Sequence, residues 1–283
     1  MITAKEFPEI EFDSKDELFK ALKNNKERIC KIKKHSVKHS DSIQVPEFTK
    51  KDLTIKGIEL PGFDKDSVYA VINTTNYLDS HNDVHLNGIW NKSVNEQQGN
   101  ISYIINHDLS IGKEIAYEQN IEMMLKEFKF SDLGYDSLMK TEALIFKVKK
   151  EDIIMDLVKD RVEKQIPSQH SVRMQYVRLD LAIDSDEEEF KEEKRIWDKY
   201  KDSIANQDAL KQGYFWAVSE AKIYLEGSMV VRGSNDITPM ILGKSAPSTD
   251  THKAEPSKDT HEEGVENKDS EWNAIEYLKQ IKI

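Results

Sequence analysis

Three residues of this sequence have the side-chain types of a nucleophile, a base and an acid: Ser171 in IPSQHSVRMQYV, His107 in YIINHDLSIG and Glu226 in YLEGSMVV. A serine hydroxyl is a poor nucleophile until a neighbouring base takes its proton. An imidazole titrates near neutrality and can be that base. A carboxylate on the other ring nitrogen fixes the tautomer and stabilises the cation that forms. Glu226 interrupts an otherwise apolar run, where a carboxylate costs free energy unless it is paired. Each residue alone has a plainer reading: a turn serine, a surface histidine, a satisfied buried acid. Ser168 is a rival nucleophile three residues before Ser171, whereas His170 alternates to the opposite face of a strand and is a poor candidate for the base. No G-x-S-x-G elbow occurs, so the arrangement of an α/β-hydrolase is not indicated.

These residues are far apart in sequence, so strands must bring them together. VYAVINTTN, ISYIINHD, KEIAYE and MMLKEFKF are rich in β-branched and aromatic residues and read as strands, as do 171–183 and 214–231. A helix is predicted over 151–165, with Ile153, Ile154, Leu157, Val158 and Val162 on one face and Pro167 ending it. Another is predicted over about 14–33, opened by a capping box at Ser14–Glu17. The basic stretch KKHSVKHSDS that follows reads as a solvated helix end. Residues 184–213 read as an acidic helical insertion with sparse apolar positions at Phe190, Ile196, Trp197 and Tyr200. From 244 the composition has almost nothing to bury, which predicts a disordered tail. It ends in a short amphipathic pattern at Trp272, Ile275, Leu278 and Ile281 that suits a docking peptide or a terminal helix on its own domain.

The 283 residues carry a net charge of -11. That acidity argues against general nucleic-acid binding, which needs a basic face to displace counterions. A single cysteine, Cys30, leaves no disulfide framework and suggests a reducing compartment. The start MITAKEFPEIEF lacks the pattern of a signal peptide, and no apolar run approaches the ~20 residues of a membrane span. A soluble, intracellular protein is expected.

Four stretches resemble the tailed-bacteriophage prohead (capsid maturation) serine proteases, a family related in fold to the herpesvirus assemblins. YAVINTTNYLDSHNDVHLNGIWNKSV is similar to the family's opening strand, aspartate-containing loop and D-V-x-x-x-G turn. ISYIINHDLSIGKEI resembles its N-H-D … I-G segment, and IPSQHSVRMQYV its x-x-S-(I/V)-G strand. IYLEGSMVVRGSNDITPMI resembles its E-(I/V)-S-x-V … P-x-N strand. The resemblance covers about 67–243 and implies His107 as base, Ser171 as nucleophile and Glu226 as the third member. It implies an α+β fold: a herpesvirus-protease-like closed β-barrel surrounded by helices. An N-terminal helix and linker over 1–66 would precede that domain, and the tail from 244 would follow it. The implied activity is cofactor-free, metal-free cleavage of scaffold and major capsid protein segments, and of the protease itself, inside the assembling procapsid in the host cytoplasm. Neither nucleic acid nor membrane enters that reaction, and a homodimer is possible by analogy with the herpesvirus enzymes. The sequence departs from the pattern at Arg173, where the family usually has glycine, and at Gly227 within the acid's motif. It also rearranges the P-x-N around Asn235 and Pro239 and separates the last two motifs by the acidic insertion. Arg173 and Arg232 are candidates to support an oxyanion directly or through water.

Two rivals stand beside this reading. His81, Asp83 and His85 form H-N-D-V-H, whose alternate residues on a strand could converge on a metal and make the protein a metal-dependent hydrolase. Alternatively the chain is a catalytically inactive, protease-like scaffold component that guides shell assembly.

Overall fold

A computed structural model describes residues 1–36, 58–60 and 62–243. The chain begins with a hairpin, β1 (Ile2–Ala4) and β2 (Phe7–Phe12), then two short helices, α1 (Lys15–Asn24) and α2 (Lys26–His35). Ser14 caps α1, its hydroxyl accepting from the Glu17 N–H at 3.2 Å. The single helix expected over 14–33 divides at Asn25, whose backbone leaves the helical region and whose N–H and side-chain amide both turn back to the Ala21 carbonyl. Leu18, Phe19, Leu22 and Ile29 point inward into the main core. The hairpin had no counterpart in the sequence reading, because two strands this short carry little periodic signal.

Two five-stranded sheets form the body. The first has the order β3 (Ile58–Leu60), β12 (Met240–Gly243), β4 (Ser67–Thr74), β9 (Lys140–Lys149) and β8 (Glu122–Lys129). Every residue of β4 is buried, so VYAVINTT reads as a near-continuous apolar run rather than an alternating one. The second sheet runs β10 (Gln169–Ile183), β11 (Tyr214–Val230), β6 (Ser102–Ile105) and β7 (Glu114–Ala116), with β5 (Asp83–His85) also pairing β11. The architecture is α+β. The closed barrel expected from the resemblance is not formed: among the described residues no sheet closes on itself, and one isolated bridge, Gln169 to Pro239, joins the start of β10 to the approach to β12.

Helix α3 (Asn91–Glu96) lies beside β11 and β8, and α4 (Asp156–Glu163) leads toward β10. The latter is shorter than the predicted 151–165. Val158 and Val162 are buried, but Leu157 is exposed, so the apolar stripe is narrower than the sequence suggested.

The acidic segment 184–213 connects the two longest strands, β10 and β11. Its helix α5 (Lys191–Tyr200) packs on β10 and buries Trp197, and Phe190 sits edge-on to Phe19 of α1. The buried Glu193 carboxylate accepts from Lys23 at 3.2 Å and Lys26 at 3.0 Å. Those two cations answer the desolvation of the acid, so the basic face of the N-terminal helices and the acidic insertion hold one another. No helix among the described residues is long and apolar enough to cross a membrane.

Candidate active site

The site forms where β6 ends beside β11, and β11 bulges against β10. Ser171 lies directly opposite Ser228, and Val172 opposite Gly227, but Met174 is next paired with Ile223. The single residue Arg173 therefore faces Tyr224, Leu225 and Glu226. Leu225 takes a left-handed φ of 70°, which accommodates the extra residues. Beyond the bulge the alternation resumes, so Glu226 and Ser228 share a face with Ser171.

His107 comes to that face from β6. After Ile105 the chain places both Asn106 and His107 in the left-handed region, at φ 55° and 57°. Asn and His tolerate this better than most residues, yet consecutive left-handed positions cost roughly 1–3 kcal/mol each. Hydrogen bonds on both sides hold the turn. The Asn106 N–H donates to the Met229 carbonyl at 2.9 Å, and the His107 N–H donates to Ser228 Oγ at 2.8 Å. So aimed, His107 Nδ1 lies 2.7 Å from Glu226 Oε1. The carboxylate can only accept, so Nδ1 carries a proton and Nε2 is the nitrogen left to act as base in the neutral ring.

Glu226 is fully buried, and the same Oε1 accepts from Arg173 Nε at 2.9 Å. Arg173 Nη2 donates to the His107 carbonyl at 2.8 Å. The guanidinium is thus held against the acid and the histidine backbone. Arg232 is exposed at the turn after β11, and its charge acts on Asp236. Ser171 is 6% exposed and placed by the ladder beside Ser228, the residue that fixes the His107 backbone. Ser168 is held elsewhere, its hydroxyl accepting from Arg161 Nε at 3.1 Å. Of the residues singled out in the sequence, the fold brings Glu226, His107 and Arg173 into direct contact and sets Ser171 on their face. Ser228 was not singled out. Its signal was available: a serine two positions after the acid lies on the same strand face.

The opposite face is packed tight. A Cβ on Gly227 would approach Phe146 of β9 to 2.6 Å, which explains glycine between the acid and Ser228. Gly227→Ala should destabilise the fold by about 1–3 kcal/mol, measured as a lowered urea midpoint, with Phe146→Leu in the same chain recovering part of the loss.

His170 also lies on that face, fully buried. Its Nδ1 is 3.0 Å from the Thr238 carbonyl, which can only accept, so Nδ1 donates and Nε2 accepts from the Tyr103 hydroxyl at 2.9 Å. Burial lowers its pKa to about 4, against the Thr238 bond, which raises it. An imidazole whose folded value lies below its unfolded value of about 6.5 favours the folded state above that value. The contribution is lost as pH falls from about 6.5 to about 4, amounting to about 3 kcal/mol for a shift of this size. Urea midpoints of wild type and His170→Gln between pH 7 and 4 should therefore diverge in slope, the variant being flatter. Equal slopes would show that His170 does not carry the effect.

The H-N-D-V-H stretch does not assemble as a metal-ligand set. Lys33 Nζ is 2.5 Å from Asp83 Oδ1, and the Tyr176 hydroxyl donates to Asp83 Oδ2 at 2.8 Å. His85 Nε2 therefore donates to that hydroxyl at 3.2 Å, and Nδ1 accepts from Asn73 at 3.0 Å. His81 contributes its backbone carbonyl to Lys33. Among the described residues, the group of three whose possible ligand atoms lie within 4.8 Å of one another is Asp16, Glu187 and Glu189, which lies on the N-terminal helix and the insertion. Glu6, in the turn of the N-terminal hairpin, completes the buried network. Its carboxylate lies 3.6 Å from Lys33 and accepts from Tyr214 at 2.8 Å and from Trp216 at 2.7 Å.

Compared with protein-family profiles, curated proteins and solved structures, the chain matches none.

Proposed function

We propose that this chain is a serine endopeptidase in which Ser171 attacks the scissile carbonyl, His107 takes and returns the proton, and Glu226 orients the imidazole. The observation that carries this reading is the 2.7 Å contact of His107 Nδ1 with the buried Glu226, on the strand face that also presents Ser171. In the first step the Ser171 Oγ–H proton moves to His107 Nε2 as Oγ adds to the carbonyl carbon. His107 then protonates the departing amine, leaving an acyl-Ser171 ester. Water, deprotonated by the same nitrogen, adds to the ester carbonyl and frees the acid and the serine. Glu226 remains a carboxylate throughout and balances the imidazolium. The acyl-transfer steps draw on no group beyond these side chains and water.

The motifs around these residues resemble those of the prohead serine proteases. The substrates proposed are accordingly segments of a scaffold protein and a major capsid protein, processed inside an assembling shell in the host cytoplasm. A kinship of fold with the herpesvirus proteases and a homodimer belong to the same proposal and rest on the motifs alone. Self-cleavage belongs to it too, with its sites in the chain after 243; that stretch and the basic stretch after Ser36 lie outside the described residues. Co-expression with the shell and scaffold proteins encoded beside this chain tests the reading. New protein termini with wild type and with Ser168→Ala, lost with Ser171→Ala, are expected. Unchanged termini in every sample would favour an assembly role without catalysis, and processing that survives Ser171→Ala would refute the nucleophile.

A further inference from the structure

We infer that Arg173 is a positioning residue for the His107–Glu226 pair, acting on the acid and on the backbone of the base at once; the inference rests on the endopeptidase reading above. The carboxylate of Glu226 is fully buried and directs one oxygen, Oε1, to both partners: His107 Nδ1 at 2.7 Å and Arg173 Nε at 2.9 Å. Its Oε2 is buried and takes no hydrogen bond among the described residues. A carboxylate in that setting needs a compensating charge. The guanidinium supplies one that persists at every working pH. Its second arm, from Nη2 to the His107 carbonyl at 2.8 Å, ties the acid to the main chain of the base. That tie falls at the left-handed turn of Asn106 and His107, where the backbone has most tendency to relax. The bulge at Tyr224–Glu226 is what makes both contacts possible, because it sets three residues of β11 against Arg173 alone.

Charged groups reach His107 from two neighbouring strands and from its own loop. Glu226 comes from β11 and Arg173 from β10, and Asp108 beside it in sequence is turned to the Ser110 N–H at 3.0 Å. Removing the guanidinium leaves the carboxylate charge facing the imidazole uncompensated, so the ring should hold its proton to higher pH.

The test uses the full chain as wild type, Arg173→Gln and Arg173→Lys. The Hε1 resonance of His107 is followed across pH 5 to 9, and cleavage of the processed shell or scaffold protein is followed kinetically. In Arg173→Gln the titration midpoint should rise by about one pH unit. Its kcat should fall about 100-fold with KM little changed, since the guanidinium touches the dyad and not the substrate. Arg173→Lys keeps the charge but loses the fork, so the midpoint should stay at its wild-type position while kcat falls about tenfold. A folded Arg173→Gln variant whose midpoint does not move overturns the inference. If that variant does not fold, Arg173→Lys decides: wild-type kcat overturns the inference, and reduced kcat at an unmoved midpoint supports it. A moved midpoint in a chain that cleaves nothing supports the position of Arg173 and counts against the endopeptidase reading instead.

Discussion

Ser171→Ala should lower peptide hydrolysis by a factor on the order of 10⁴ to 10⁶, with melting temperature close to that of wild type. The hydroxyl is the one atom lost, and β10 pairs with β11 through its backbone at this position, so the ladder survives. Glu226→Gln should be nearly as damaging, about 10⁴-fold in kcat, by a different route. An amide can present an N–H to His107 Nδ1, which would move the ring proton to Nε2 and remove the base. The same amide would present a donor to Arg173 Nε, which is itself a donor, where the carboxylate accepted at 2.9 Å. This variant should therefore also lose stability, and Ser171→Ala should not. Rates of substrate processing and thermal melts of both variants check the pair. Loss of activity in Glu226→Gln with wild-type melting would show that the buried acid is less coupled to Arg173 than its contacts imply.

The second large effect is structural. Lys33→Met should cost about 3–5 kcal/mol, the usual loss when one partner of a buried ion pair is removed. Lys33 is 6% exposed and Asp83 fully buried, and Glu6 and Tyr176 share the network. Without the ammonium, Asp83 is left facing the Tyr176 hydroxyl with no cation. In a domain this large the melting temperature should fall by on the order of 10 °C. Lys33→Met with Asp83→Asn should lose less than the sum of the single variants, because each removes the reason for the other. The pH dependence has a definite sign. Burial alone would lower the Lys33 pKa, but the carboxylates of Asp83 and Glu6 outweigh it and the value is raised. Its contribution is therefore full below the unfolded lysine value of about 10.4, and is lost as pH rises through the folded value. Wild type should therefore lose stability as pH climbs past about 10.4 while Lys33→Met stays flatter, and urea midpoints of the two between pH 8 and 11 should begin to converge at the alkaline end. The network ties the N-terminal hairpin and α2 to β5, β10 and β11, so limited proteolysis of the variant should begin at the N-terminus.

What could be read from the sequence follows the physics of each signal. β10 and β11 were legible because long alternating runs bounded by Pro167 and by a polar connection have few other solutions. β4 was legible as a continuous apolar run. β9 was not singled out, although TEALIFKV is buried along most of its length, because a short apolar run with charged ends suits a helix as well as a strand. The predicted N-terminal helix broke at Asn25 because local hydrogen bonds to Ala21 compete with continuation, a choice that periodicity does not register. The barrel expectation came from resemblance rather than from pattern, and the described strands settle into separate sheets instead.

At the site, the buried carboxylate was the most informative residue, since its cost demanded a partner and it has two. The two-register bulge that sends Arg173 to Glu226 has no composition signature. An arginine two residues past a candidate nucleophile therefore read as oxyanion support. H-N-D-V-H looked like a metal site because the sequence does not show that Lys33, some 50 residues earlier, enters the same pocket.

The most direct measurement is labelling of the full chain with an aryl fluorophosphonate, followed by peptide mapping of the adduct. The probe phosphonylates a hydroxyl only where a neighbouring base activates it. The account predicts one adduct, on Ser171, formed at least about 100-fold more slowly in His107→Ala and absent in Ser171→Ala. An adduct on Ser168 or another residue, or labelling of Ser171 that is indifferent to His107→Ala, would contradict it.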